Sequence, residues 1–177
     1  MEILIIIFLM IIVLFIVMKP KRSMPSDEKR LFLELQQQLW GSYKQFSIRS
    51  QNDIFEKHLN KEVREKVVET KQLPEQLVDE IRQFHESLQK EIMMLKQQQA
   101  DVGEDCLQLF VAYMEARYIF LNKEWAYMRA ILQSDDHALE ATQLYRKARD
   151  WQQQQYRAFE AGIIQQTKKY KCVNLFA

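Results

Sequence analysis

The chain has 177 residues and a nearly balanced charge, with 25 lysines and arginines against 24 aspartates and glutamates. This balance argues against a nucleic-acid-binding protein held by a broad basic surface. The sequence contains only 3 glycines and 3 prolines, which is too few to build many turns. Long helices are therefore expected, and the composition predicts an all-α fold.

An uninterrupted apolar run occupies residues 3–18, without a polar or charged side chain. A helix over this run rises 1.5 Å per residue and is about 24 Å long, slightly short of the ~30 Å hydrocarbon core of a bilayer. We interpret residues 1–18 as a single transmembrane helix. The membrane lipid bilayer is then the first predicted partner.

Two other interpretations of the apolar run are open. A cleavable signal peptide would carry a basic n-region and small residues at a cleavage site, whereas here Met1-Glu2 precedes the run and Lys19-Pro20-Lys21-Arg22 follows it. A buried or re-entrant helix would normally show one polar face, and this run has none. The residues on both sides of the run favour an uncleaved anchor.

Positive charges lie only on the C-terminal side of the apolar run. We expect the protein to sit in the inner membrane, and the positive-inside rule then predicts that its N-terminus is outside and its C-terminal domain in the cytoplasm. We expect Lys19, Lys21 and Arg22 to set this topology and to contact anionic lipid headgroups. Residues 19–25 then form a short basic linker.

The rest of the sequence predicts an antiparallel bundle of about five helices over residues 26–172, followed by a C-terminal tail at 173–177. Short connections between helices favour antiparallel neighbours. The tail is expected either to dock on the bundle or to serve as a short binding segment. The predicted helices run from Ser26 with a weak point at Gly41-Ser42, from Ser50 through Val67, from Pro74 to the glutamines at 97–99, from Glu104 to Gln133, and from Asp136 to Tyr170.

The fourth predicted helix carries apolar residues at alternating spacings of four and three, which is the heptad pattern of a coiled-coil seam. The fifth carries small residues along one face. Together these patterns predict an antiparallel hairpin of the last two helices with small residues at the contact. The seam consists of Leu107, Val111, Met114, Tyr118, Leu121, Trp125, Met128 and Leu132.

The sequence contains no motif for catalysis, cofactor binding or metal binding. The Glu-x-x-His motif of di-iron bundles is absent, because Phe55, Arg82 and Ser134 stand three residues before the histidines. His58 and Glu62 form an isolated pair four residues apart, which is more typical of a surface contact. The acidic neighbour of Cys106 is expected to raise its pKa. We predict that the protein is not an enzyme and holds no cofactor.

Aromatic residues are concentrated in the last two predicted helices, where they either pack in the core or bind a partner helix. We predict a membrane-anchored helical adaptor or scaffold subunit in cell division or envelope assembly, acting by protein–protein interaction, with homo-oligomerisation open. The order of segments is similar to that of bacterial inner-membrane tethers, a similarity of layout alone. The alternatives are an exported domain of reversed topology, as in an envelope or phage-lysis component, and an enzyme with an unrecognised site. The partner-binding candidates are Tyr118, Trp125, Tyr127, Trp151 and Tyr156.

Overall fold

The computed structural model of the protein describes residues 27–48, 51–133 and 137–177, and all regular secondary structure in these ranges is helical. The predicted all-α fold and helical bundle are therefore confirmed. The elements are α1 (Asp27–Tyr43), a π-helical turn (Lys44–Ile48), α2 (Gln51–His58), α3 (Lys61–Thr70), α4 (Glu75–Gln97), α5 (Glu104–Leu132) and α6 (Ala138–Tyr170).

The predicted membrane anchor lies outside the described residues, as do Lys19, Lys21 and Arg22. Within the described ranges, no helix combines the length and the apolarity needed to cross a bilayer. No described helix therefore supports the transmembrane helix, and both the anchor and its topology stay predictions.

The prediction of a single second helix is wrong, because the chain there forms two helices, α2 and α3, separated at Leu59-Asn60. The Asn60 Oδ1 atom accepts a hydrogen bond from the Val63 backbone N–H at 2.9 Å and caps α3. Asparagine is among the best N-cap residues, so it starts a new helix at this point. The apolar spacing continues from Leu59 to Val63 across the break and therefore conceals it.

The predicted hairpin of the last two helices is observed as α5 and α6, which make the most extensive contact between elements in the described residues. Its antiparallel direction follows from its ring pairs. The Phe110 and Phe159 rings lie 5.0 Å apart between centroids, and the Tyr127 and Tyr145 rings also lie 5.0 Å apart. Residues later in α5 thus meet residues earlier in α6, so the tip of the hairpin lies where α5 ends and α6 begins.

Two clusters of buried side chains pack against opposite ends of this hairpin. One joins α1, the C-terminal half of α4, α5 as far as Leu121, and α6. The other joins α2, α3, the N-terminal half of α4 and the end of α5, where Trp125 and Met128 contact it. The second cluster covers one side of the hairpin near its tip. Its buried members are Ile54, Phe55, Leu59, Val67, Leu77, Ile81 and Leu132.

The C-terminal tail packs on the bundle. The chain reverses after α6 at Lys171, which adopts a left-handed conformation (φ 49°, ψ 52°). Phe176 is 9% exposed and belongs to the first buried cluster. Of the two expectations for residues 173–177, the structure shows docking on the bundle.

Candidate functional site

Two of the five aromatic residues predicted to bind a partner pack against other helices of the bundle. The Trp125 indole stacks on the Phe55 ring of α2 at 5.9 Å between centroids. The Tyr118 ring meets the His85 ring of α4 edge-on at 6.1 Å. Both side chains are half-buried. Packing between helices is the role that the structure shows for these two residues.

The other three candidates differ in exposure. Tyr127 stacks on Tyr145 across the hairpin, and Tyr156 stacks on Tyr43 of α1 at 6.0 Å between centroids. Trp151 is 38% exposed and lies on the outer surface of α6. Of the five candidates, it is therefore the one whose large apolar surface is most available to a partner.

Trp151 belongs to an exposed apolar strip on one flank of the hairpin. Leu144 stands seven residues before it, which places both side chains on the same face of α6, and both are exposed. On α5, Ile119 and Ala126 are likewise exposed and seven residues apart. Ala126 and Leu144 line one groove, so the rows from the two helices face the same side.

This groove between α5 and α6 has a volume of about 330 Å³ and lies near the tip of the hairpin. We call it the hairpin groove. Its apolar wall is built largely from alanines, which leave room for an additional side chain or helix. The lining residues are Lys123, Ala126, Arg129, Ala130, Gln133, His137, Glu140, Ala141 and Leu144.

The rim of the hairpin groove carries more positive than negative charge among the described residues. Lys123 and Arg129 line it, and the exposed Lys147 follows Leu144 by three residues on α6. Glu140 is the acidic residue of the lining. Positive side chains at the rim of an apolar floor attract negatively charged groups.

A buried polar cluster lies beside the π-helical turn. The Arg117 Nε atom donates a hydrogen bond to the Phe46 carbonyl oxygen at 3.2 Å. Gln51 Nε2 donates to the Leu121 carbonyl oxygen at 3.2 Å and to Glu124 Oε2 at 3.0 Å. Burial lowers the pKa of Arg117 and raises the pKa of Glu124.

His85 completes this polar cluster from α4. Its Nε2 atom lies 2.8 Å from Gln51 Oε1, and burial lowers its pKa more than the hydrogen bond with Asn122 raises it. Perturbed groups of this kind occur both at active sites and in structural networks. Here the cluster joins α2, α4 and α5 to the π-helical turn, so it positions these elements against one another.

The cysteine and histidine predictions have mixed outcomes. The pKa of Cys106 is raised to about 11, as predicted, although burial is the larger cause and Asp105 the smaller. His58 does not pair with Glu62, because its Nε2 atom lies 2.6 Å from Glu80 Oε2 on α4. Within residues 27–48, 51–133 and 137–177, no group of three or more His, Cys, Asp or Glu side chains could hold a metal ion.

Comparison of the chain with known proteins finds no match to a protein family, to a curated protein or to a solved structure. The sequence interpretation missed Leu144, Lys123 and Arg129 as parts of one site. The spacing of seven residues between Leu144 and Trp151 indicates that both side chains share one face of α6. Only the geometry of the hairpin brings residues of α5 beside that face.

Proposed function

We propose that this protein is a membrane-anchored adaptor that binds an acidic amphipathic helix of a protein partner in the hairpin groove. The proposed location is the cytoplasmic face of the inner membrane. The observation that carries the proposal is the exposed apolar strip around Leu144 and Trp151, bordered by Lys123 and Arg129. Exposed apolar patches with a polar rim mark interaction sites in soluble domains.

The shape of the groove favours a helical partner. Its walls are two antiparallel helices, and the exposed pairs Ile119–Ala126 and Leu144–Trp151 each span two helical turns, about 10.5 Å. An amphipathic helix presents its own apolar residues at spacings of three, four and seven, which match this interval. The alanine floor permits the close approach of 8–10 Å between axes that is typical of packed helices.

The charge of the rim favours an acidic partner. Among the residues that line the groove, Lys123 and Arg129 outnumber Glu140. The Arg129 guanidinium lies over the Trp125 ring at 6.0 Å, so it is held at the surface rather than extended freely. Complementary charges on the partner would set its register and increase its association rate.

The position of the groove is consistent with a tether at the start of α1. The Lys29 Nζ atom donates to the Lys171 carbonyl oxygen at 3.0 Å, so α1 begins beside the end of α6. Leu144 lies 27 residues before Lys171, about 40 Å along the helix axis. The hairpin groove would therefore lie well away from the point where an anchor joins α1. Tethering to the membrane would also raise the effective concentration of the groove for membrane-bound partners.

Site-specific photocrosslinking tests the groove. A photoreactive residue replacing Trp151 in the full chain is expected to capture a stoichiometric partner from intact membranes. Leu144→Asp should reduce this capture at least tenfold, because docking would have to desolvate the new carboxylate and because it would repel an acidic partner. The matched control is Leu139→Asp, since Leu139 is 73% exposed but stands outside the groove lining. Equal losses in both variants, or no partner at all, would count against the proposal.

The topology is tested separately. A cysteine replacing Val173, which is 72% exposed, gives a reactive position in the described domain. A membrane-impermeant maleimide added to intact cells should leave this position unlabelled if the domain is cytoplasmic. Labelling from outside would instead support the reversed topology of an exported domain.

A further inference from the structure

A polar pocket lies between the end of α1, the π-helical turn, α5 and the middle of α6, and has a volume of about 250 Å³. We call it the tyrosine pocket. Every side chain that lines it can make hydrogen bonds, and none of them is a carboxylate. The lining includes Tyr43, Ser47, Tyr113, Gln152, Tyr156 and Arg157.

Two hydroxyl groups at this pocket keep a hydrogen to donate. Tyr113 is 2% exposed, and its hydroxyl donates a hydrogen bond to the Ser47 Oγ atom at 2.8 Å. Burial and a hydrogen bond with Tyr156 raise the pKa of Tyr43 to about 12, as expected when the Tyr43 phenol is the donor. The Ser47 and Tyr156 hydroxyls therefore accept these bonds, and their own hydrogens remain for another acceptor.

The charges at the tyrosine pocket favour an anion. Arg157 lines it, is exposed, and has no ion-pair partner in the described part of the chain. Burial is the main cause that raises the pKa of Tyr43, and the buried Arg117 charge opposes it more strongly than the Glu160 charge adds to it. The two guanidinium groups therefore give the tyrosine hydroxyls a positive surrounding.

We propose that the tyrosine pocket binds the phosphate group of a small, soluble phosphate monoester. Its donors come from different sides, since Ser47 belongs to the π-helical turn and Tyr156 and Arg157 belong to α6. Donors on several sides suit a tetrahedral group with three free oxygens better than a planar carboxylate. The volume lies below the ~300–1,000 Å³ of sites for drug-sized ligands, which suits a small compound.

Each group has a separate role in this site. The Arg157 guanidinium pairs with the phosphate oxygens, a contact that arginine makes with two parallel hydrogen bonds. Ser47 and Tyr156 donate their hydroxyl hydrogens to the same group. Tyr113 and Tyr43 are positioning residues, because they hold the Ser47 and Tyr156 hydroxyls through hydrogen bonds.

The tyrosine pocket is separate from the hairpin groove, because the two share no lining residue. Phosphate binding therefore does not depend on the proposed partner. Tyr156 lies 15 residues before Lys171, about 22 Å along the α6 axis from the end where α1 begins. This distance would keep the pocket away from a membrane reached through α1, which favours a soluble compound over a lipid headgroup.

Isothermal titration calorimetry of the full chain in detergent tests the site, with glycerol 3-phosphate as the probe in a phosphate-free buffer. Saturable binding with a Kd of about 1 mM or tighter is expected. Arg157→Met should weaken it at least tenfold. The matched control is Arg149→Met, which removes the same charge from α6 outside the pocket and should change the Kd less than twofold.

A second pair of variants tests the hydroxyl donors without changing the charge. Tyr156→Phe keeps the ring that stacks on Tyr43 and should weaken binding about tenfold, because a hydrogen bond to a charged group is lost. Tyr127→Phe removes a hydroxyl outside the pocket and should leave the Kd unchanged.

Four results would overturn the assignment. They are the absence of saturable binding up to about 10 mM probe, equal weakening by Arg157→Met and Arg149→Met, and equally tight binding of succinate, a dicarboxylate. The fourth is tighter binding of a short-chain phosphatidic acid that is lost in Arg157→Met, since it would assign the phosphate to a lipid.

Discussion

The Nε atom of Arg117 donates a hydrogen bond to the carbonyl oxygen of Phe46 at 3.2 Å, inside the π-helical turn that follows α1. The guanidinium also lies over the Phe120 ring at 5.4 Å and is 8% exposed. A π-helical turn departs from the regular α-helical hydrogen-bond ladder. A buried carbonyl oxygen at such a turn needs another donor, and α5 provides it.

Replacing Arg117 with methionine should lower the free energy of unfolding by about 2–4 kcal/mol. The change removes the donor to Phe46 and the positive charge near the buried Glu124. The control is Arg82→Met, which breaks only the exposed pair between Arg82 and Asp79 and should cost less than about 1 kcal/mol. Urea unfolding followed by circular dichroism measures both. An equal decrease in the free energy of unfolding in both variants would show that Arg117 does not stabilise the π-helical turn.

Two glycine substitutions should change stability in opposite directions. Gly41 lies in α1, and an added Cβ would meet no atom within 4 Å apart from its chain neighbours and the nearby backbone of its own helix, so Gly41→Ala should stabilise the protein by about 0.5–1 kcal/mol. Gly103 has φ +82°, and an added Cβ would lie 2.9 Å from Phe32 Cδ2. Gly103→Ala should therefore destabilise the protein by at least about 1 kcal/mol. Thermal unfolding should show a higher melting temperature for Gly41→Ala and a lower one for Gly103→Ala than for the wild type. A shift of both variants in the same direction would contradict the local geometry.

His85 should make stability depend on pH. Burial lowers its pKa in the folded protein below its ordinary value of 6.5, so the unfolded state binds more protons as the pH falls through that value. The free energy of unfolding should then fall with decreasing pH, by at most about 1.4 kcal/mol per pH unit.

The comparison with His85→Gln isolates this effect. Other groups titrate too, since the pKa of Glu124 is raised by burial and that of Glu80 is lowered chiefly by its hydrogen bond with His58. The contribution of Glu80, which lies outside the polar cluster of His85, cancels in the difference between wild type and variant. The advantage of wild type over His85→Gln should shrink between pH 7.5 and 5.5 in urea unfolding. A constant difference would mean that His85 does not titrate differently in the two states.

The docked tail should contribute measurably to stability. Phe176→Ala removes a ring that packs nearly edge-on against Trp40, Tyr43 and Phe159, and should cost about 2–4 kcal/mol, with detachment of the tail setting the upper limit. Val173→Ala removes a side chain that is 72% exposed and should change stability by less than about 0.5 kcal/mol. Urea unfolding of both variants gives the comparison. A neutral Phe176→Ala would mean that the tail is not part of the cooperative fold.

The sequence predicts the later helices better than the earlier ones. The scarcity of glycine and proline indicates long helices, Pro74 and Gly103 mark the starts of α4 and α5, and the small residues of α6 favour a hairpin. Between α1 and α3, the helix boundaries are hidden from the sequence, because the apolar spacing continues where a side-chain cap starts a new helix. The side chain of Asn60 provides this cap.

By itself, the sequence determined the helical class, the hairpin and the apolar character of residues 3–18, because periodicity and composition are local properties. Only the tertiary structure decided what each apolar or polar face meets. Gln36 lies on the apolar face of α1 and binds Leu175, which is 139 positions away, while Arg117 binds Phe46 across 71 positions. Such pairs depend on how helices cross and on where the chain returns. Helical periodicity shows which side of a helix is buried and leaves its partner undetermined.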